Sequence, residues 1–249
     1  MQKKNNWFET WFDTEYYHIL YKNRNDKEAH FFMDNLVNYL EIANNSTVLD
    51  LACGKGRHSI YLNKKELDVV GVDLSEQSIK YAQQFKNETL HFDVHDMREV
   101  YTKQKFNYIF NLFTSFGYFE DDSENQKAIS AMEQMLDTNG VLVIDFLNAT
   151  KVIKNLIKEE QKIIDGITFN IKRKVENQFI VKTISFEDKG KKYSFEERVK
   201  ALRLEDFEKF INHTNMELFE VFGNFALDKF DENTSDRLIM ILRMPLLCM

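Results

Sequence analysis

Between residues 48 and 59 the chain reads Val48-Leu49-Asp50-Leu51-Ala52-Cys53-Gly54-Lys55-Gly56-Arg57-His58-Ser59, a short apolar run, a turn with two glycines and the start of a helix. Few folds accommodate that order. Glycine reaches backbone angles closed to other residues and carries no side chain, so a strand can turn sharply into a helix while a ligand lies against the main chain. A second apolar run, Val69-Val70-Gly71-Val72-Asp73-Leu74, ends in an acid 17 residues past Gly56. A carboxylate at the end of a second strand is placed to accept hydrogen bonds from both hydroxyls of a ribose.

The surrounding pattern gives this turn a fold. From residue 47 to 145, short runs (TVLDLA, DVVGVDL, TLHFDV, FNYIFNLF, GVLVIDF) alternate with helix-length segments. Such alternation predicts parallel strands joined by helical crossovers, a doubly wound α/β sheet. Residues 1–45 are aromatic and helical in pattern, with Ala29, Phe32, Met33, Leu36, Val37 and Leu40 at three- and four-residue spacings, and predict a cap of one or two helices. Residues 167–203 predict three antiparallel strands turning near Glu176-Asn177 and at Asp188-Lys189-Gly190. A helix around 204–213 precedes MELFEVF and DRLIMILRM, which are expected to complete the main sheet as a hairpin and bring it to seven strands. The expected organisation is a cap at 1–45, a core at 46–160 and 204–249, and an antiparallel β insert at 161–203 acting as a substrate lid.

Composition narrows the setting. At 249 residues and 43% hydrophobic, the chain can bury a full core. MQKKNNWFETWF has no apolar stretch of the signal-peptide kind, and no apolar run approaches membrane-spanning length. Two cysteines, Cys53 and Cys248, argue against a disulfide framework, so a reducing cytoplasm is the expected compartment. His30, His91 and His213 show no metal-ligand spacing, and no metal is expected. Residues 151–203 hold 14 Lys and Arg against 8 Asp and Glu, a balance of +6 that leaves −13 for the rest of a chain of net charge −7. The insert reads either as solvated strands with Lys at their edges, which discourages aggregation, or as a lid that attracts an anionic substrate. The acidic whole argues against a nucleic-acid partner.

Two ligand classes share the turn-and-acid geometry. A dinucleotide fingerprint GxGxxG requires a third glycine at position 59, where this chain has Ser59, which leaves nicotinamide binding as the runner-up. DLACGKGRHS followed by VVGVDLS closely resembles motifs I and II of class I S-adenosylmethionine-dependent methyltransferases, whose fold is Rossmann-like. The resemblance continues through Phe92-Asp93-Val94-His95-Asp96-Met97-Arg98 and through the fourth strand and loop at residues 106–119, to cover 46–146. It implies S-adenosylmethionine as cofactor. Ala52, Gly54 and Gly56 would lie along it, Asp73 and Leu74 at the ribose, Asp96 and Met97 at the adenine. Asp50 would stand near the methionine amino group through water, with Asn111, Leu112 and Phe113 at the methionine end.

Methyl transfer from a sulfonium is an in-line displacement with a good leaving group, so alignment and exclusion of water dominate and no fixed catalytic dyad is implied. Tyr17, Tyr21 and Tyr118 are the candidates for a catalytic group. Tyr17 and Tyr21 share a helix face beside Tyr16, His18 and Arg24, and aromatic core packing is the competing account. His58 and His95 read as structural or solvent-facing. With Pro245 as the sole proline, the Asn/Asp-Pro-Pro-aromatic motif of amino-methylating base and glutamine enzymes is absent. The TSFGYF loop and β insert instead resemble small-molecule methyltransferases such as the aminosugar N-methyltransferases. A small-molecule acceptor, N- or O-directed, is expected. An anionic acceptor, an RNA or protein methyltransferase docking through the insert, and a NAD-dependent dehydrogenase remain open alternatives.

Overall fold

The computed structural model describes residues 7–22 and 26–245, so Arg24 lies outside the described residues. The chain begins with three helices, α1 (Trp7–Trp11), α2 (Glu15–Leu20) and α3 (Asp26–Tyr39), where one or two were expected. There follow β1 (Thr47–Leu51), α4 (Arg57–Asn63), β2 (Asp68–Asp73), α5 (Glu76–Ala82), β3 (Leu90–Val94), β4 (Phe106–Asn111), α6 (Asp122–Met135), β5 (Leu136–Leu147) and α7 (Ala149–Lys154). The remainder is β6 (Glu159–Ile164), β7 (Ile167–Glu176), β8 (Phe179–Asp188), β9 (Lys191–Lys200), α8 (Leu204–Ile211), β10 (Glu217–Phe222) and β11 (Arg237–Arg243). Among the described residues no helix is long and apolar enough to cross a membrane.

The main sheet has seven strands in the order β10-β11-β5-β4-β1-β2-β3. β1 pairs parallel with β2 and β4, and β11 pairs antiparallel with both β5 and β10, as the C-terminal hairpin predicted. Strand side chains alternate between faces, so Leu49 and Leu51 join a core under α6 and α8 with Ile129, Met132 and Phe207. Val48 turns the other way, onto Phe32 and Leu36 of α3 and Leu62 of α4. Burial on both faces explains why these strands are nearly continuous apolar runs. Asn139 and Gly140 lie inside β5, where the β4–β5 register shifts between Phe106 and Tyr108. Strand order reverses beside β1, so the loops leaving β1 and β4 diverge and open a crevice above the sheet.

The insert is a four-stranded antiparallel sheet, β6-β7-β8-β9, where three strands were expected. The extra strand is β6, which starts two residues before the anticipated boundary. Its sequence, EEQKII, has no apolar alternation, and Ile163 is 75% exposed, so periodicity gave no signal. Each hairpin turns on two residues of positive φ, Asp165-Gly166, Asn177-Gln178 and Lys189-Gly190, the backbone that matches strand twist. One face of this sheet carries α1 and α2. Trp11 packs on Phe195 at 4.4 Å and Tyr16 on Phe186 at 4.6 Å between ring centroids. At the edge of that contact Glu197 accepts from the Trp11 indole N–H and from the Tyr21 hydroxyl, both at 2.7 Å, and pairs with Lys182 at 3.2 Å.

Candidate functional site

The glycine turn is held by β2. The Ala52 and Cys53 N–H groups donate to the Val72 carbonyl, and Gly54 N–H donates to Asp73 Oδ2 at 2.8 Å. The other Asp73 oxygen accepts from Ser75 N–H at 2.8 Å, so both oxygens are anchored by main chain. Burial pushes the Asp73 carboxyl above its ordinary value, with the Ser75 and Gly54 N–H bonds pulling against it. Not only the glycines are left-handed here: Ala52 has φ +67°, beside +57° at Gly54 and +79° at Gly56. The two glycines differ in purpose. A Cβ on Gly54 would point into open space, whereas one on Gly56 would stand 2.6 Å from the Phe92 ring.

Above this turn lies a cavity of about 430 Å³, within the size range of small-molecule sites. Ala52, Gly54, Asp73, Leu74, Asp96, Met97, Leu112 and Phe113 line it, and so do Tyr17, Tyr21 and Tyr118. Asp50, Gly56 and Asn111 stand behind the wall. Asp50 is fully buried, accepts from Ser59 Oγ at 2.5 Å, and is pushed up to about 6 by burial against the pull of that hydroxyl. Asn111 Nδ2 donates to the Leu51 carbonyl and ties β4 to β1. His58 and His95, read from sequence as structural, also reach the cavity, and the His58 ring stacks on Phe113 at 4.7 Å. Phe8 and Phe12 were missed. Their helical spacing is shared with ordinary core aromatics, and only the fold shows them facing a void.

The cavity lining is chemically mixed. In it Asp96 is gripped by Arg98, which also pairs with Glu124 at 2.7 Å. Burial raises the Asp96 carboxyl, but the Arg98 bonds outweigh it and hold it below its ordinary value. The lining also carries a cluster of aromatic rings: Phe12 lies 4.9 Å from Tyr17 and 5.5 Å from Tyr118, and Tyr17 lies 4.9 Å from Tyr21. Tyr118 donates its proton to the Thr114 carbonyl, and Tyr21 donates to Glu197. Asp13, in the turn between α1 and α2, accepts from Ser75 Oγ at 2.6 Å and joins the cap to the loop that holds Asp73.

No cavity-lining residue belongs to β6–β9, so the insert does not cover the cavity directly. It carries α1 and α2, and they do. Much of its positive charge is paired locally, as in Arg173–Glu160, Lys174–Glu176 and Arg198–Glu196. The loop after β4 places Phe113, which lines the cavity, at φ +57° and Thr114 at φ +61°. Left-handed geometry costs a non-glycine residue about 1–3 kcal/mol. The dinucleotide alternative finds no support in the turn. Ser59 is buried against Asp50, and the close helix–strand approach is made by Gly71, where an added Cβ would stand 2.7 Å from Ser59 Oγ.

Comparison with known proteins agrees with this geometry. The dTDP-3-amino-3,4,6-trideoxy-alpha-D-glucopyranose N,N-dimethyltransferase of Streptomyces venezuelae is 33% identical over 101 residues, 40% of this chain and 42% of that protein. The chain thus matches less than half the length of that curated relative. An S-adenosylmethionine-dependent methyltransferase from Clostridium acetobutylicum superposes with a TM-score of 0.78 at 20% identity, covering 92% of this chain and 96% of the other. The CcbJ methyltransferase from Streptomyces caelestis gives 0.78 at 16% identity, covering 95% and 98%. The resemblance in the motifs, the sheet order and a match to the methyltransferase-domain family over residues 42–200 together place the chain in that family.

Proposed function

We propose that this chain is an S-adenosylmethionine-dependent methyltransferase whose acceptor is an amine on a small molecule, with an aminosugar as the first case to try. The observation that carries the cofactor reading is Asp73, a half-buried carboxylate anchored by two main-chain N–H groups and bordering a cavity beside a glycine whose missing side chain leaves room. The residues present fit the cofactor: Asp73, Asp96 and Met97 line one cavity, where Asp73 would accept from ribose hydroxyls and Asp96 and Met97 would take the adenine amino group and ring. When bound, S-adenosylmethionine supplies a methyl group on a positively charged sulfur.

The chain's own residues have three tasks. Leu112 and Phe113 wall the methionine end. Phe12, Tyr17 and Tyr118 exclude water and present ring faces, which attract a cationic centre. Tyr118 and Tyr21 also line the cavity, with the Tyr118 hydroxyl bonded to the Thr114 carbonyl and the Tyr21 hydroxyl held between Glu197 and Lys182. The N,N-dimethyltransferase relative, which acts on an amino group of a nucleotide-linked sugar, supports the choice of an amine. Lys22 and Arg57 also line the cavity, where Lys22 pairs with Asp165 and Arg57 with Asp26.

The test is incubation with S-adenosylmethionine and a panel comprising nucleotide-linked aminosugars, glycine, a catechol and a short RNA, followed by mass spectrometry. Methyl groups added to an amine, with S-adenosylhomocysteine released in equal amount, are the expected result. Transfer only to the catechol or the RNA contradicts the amine assignment.

A further inference from the structure

We propose that Asp145 and Arg237, neither of which lines the cavity, are positioning residues that hold Phe113 and Thr114 in left-handed backbone geometry and thereby set the cavity wall beyond β4. The inference rests on reading that cavity as the methyl-donor site. Asp145, in β5, is fully buried, and its Oδ2 accepts from Phe113 N–H at 2.7 Å. Its main-chain carbonyl accepts from Thr114 N–H at 3.0 Å. Arg237, the first residue of β11, donates from Nε to Asp145 Oδ1 at 2.7 Å and from its terminal nitrogen to Thr114 Oγ1 at 2.9 Å. Both N–H groups of the strained pair and the threonine hydroxyl thus end on these two residues.

Positive φ in a phenylalanine followed by a β-branched threonine is a double outlier, and it persists only where surrounding contacts over-determine it. The contacts here are charged. A buried ion pair is weak evidence for stability, since a well-packed apolar pair serves as well. What an apolar pair cannot do is accept from Phe113 N–H and donate to Thr114 Oγ1 at once. Phe113 then carries the consequence to the site: its ring stacks with His58 and packs at 5.1 Å on Phe225, over which the Arg237 guanidinium lies at 5.5 Å. Neither residue is marked by the glycine motif, and they lie 92 positions apart in sequence.

The test uses the full chain and two readouts: S-adenosylhomocysteine affinity by calorimetry, and amide hydrogen exchange of the segment 111–119 in the free protein. Asp145→Asn is expected to weaken affinity about tenfold or more and to speed exchange in that segment. Adding Thr114→Gly, which adopts positive φ without help, is expected to recover about threefold or more of the loss, a rescue that a purely stabilising pair would not show. Leu242→Ala, elsewhere on β11, is the control, expected to lower Tm with affinity unchanged. The proposal is overturned if Asp145→Asn lowers Tm as Leu242→Ala does while affinity and segment exchange stay at wild-type values. If Asp145→Asn does not fold, Arg237→Lys, which keeps the charge but loses the fork, decides by the same two readouts. If the wild type binds no S-adenosylhomocysteine, the methyl-donor reading fails, and the exchange data alone decide whether Asp145 and Arg237 position the loop.

Discussion

Asp50 and Asp73 occupy adjacent strands and are both raised by burial, yet they do different things. Asp73 borders the cavity, while Asp50 is shut behind it with Ser59. Because the Asp50 carboxyl rises from 3.8 to about 6, the folded state holds its proton more tightly than the unfolded chain does. Stability from this group is fully present below about pH 4 and is lost as pH rises through about 6, a loss of about 3 kcal/mol. Asp50→Asn removes that titration, so its stability relative to wild type should grow by about this amount from about pH 4 to about pH 7 in urea unfolding. Carboxylates shifted the other way, such as Asp96 and Glu124, cancel in the difference. A difference that stays flat with pH contradicts the assignment. The motif made Asp50 visible in the sequence, but not its seclusion, because Ser59 looks like any residue of a helix start until the helix packs.

At the scale of the strand–turn–helix element, Gly54 and Gly56 look equivalent in sequence and are not. Gly56→Ala drives a Cβ into Phe92 and should cost about 3 kcal/mol or more, the sum of left-handed strain and overpacking. Gly54→Ala meets nothing, so its stability cost should be about 1–2 kcal/mol, and its larger effect should fall on ligand affinity. Thermal unfolding and calorimetry on the two variants separate these outcomes, and equal loss of stability would contradict the account. The turn itself was legible because its chemistry is local: two glycines, a following helix, and an acid closing the next strand. Ala52 at positive φ was not, since nothing in an alanine announces the Val72 carbonyl that fixes its N–H. β6 was hidden for a related reason. Its place comes from pairing with β7 across the Asp165-Gly166 turn rather than from any apolar stripe of its own.

Across the whole molecule, the insert, the cap and the cavity form one chain of support. The four-stranded sheet bears α1 and α2, and those helices contribute Phe8, Tyr17 and His18 to the cavity wall. Glu197 is the joint, with Trp11, Tyr21 and Lys182 converging on it, and Glu197→Ala should cost about 2 kcal/mol by taking the carboxylate from the half-buried Lys182 and from two hydrogen-bond donors. Acceptor KM should rise more than the cofactor Kd in the same variant, and an unchanged KM would contradict the buttressing role. The alternating segments and the C-terminal hairpin were readable from periodicity, and the basic charge of the insert from its residues. Its role was not, because charge counted along a sequence does not show that Arg173, Lys174 and Arg198 face carboxylates on their own strands or neighbouring ones. The central claim, that the cavity beside Asp73 holds S-adenosylmethionine, is tested most directly by titrating the protein with S-adenosylmethionine, S-adenosylhomocysteine and NADH in a calorimeter, with Asp73→Ala alongside. Saturable binding of the first two, weakened about a hundredfold or more in the variant, is the predicted result, as the loss of a charged hydrogen-bonding partner to both ribose hydroxyls requires. Binding of NADH alone, or S-adenosylhomocysteine binding that Asp73→Ala leaves intact, would contradict it.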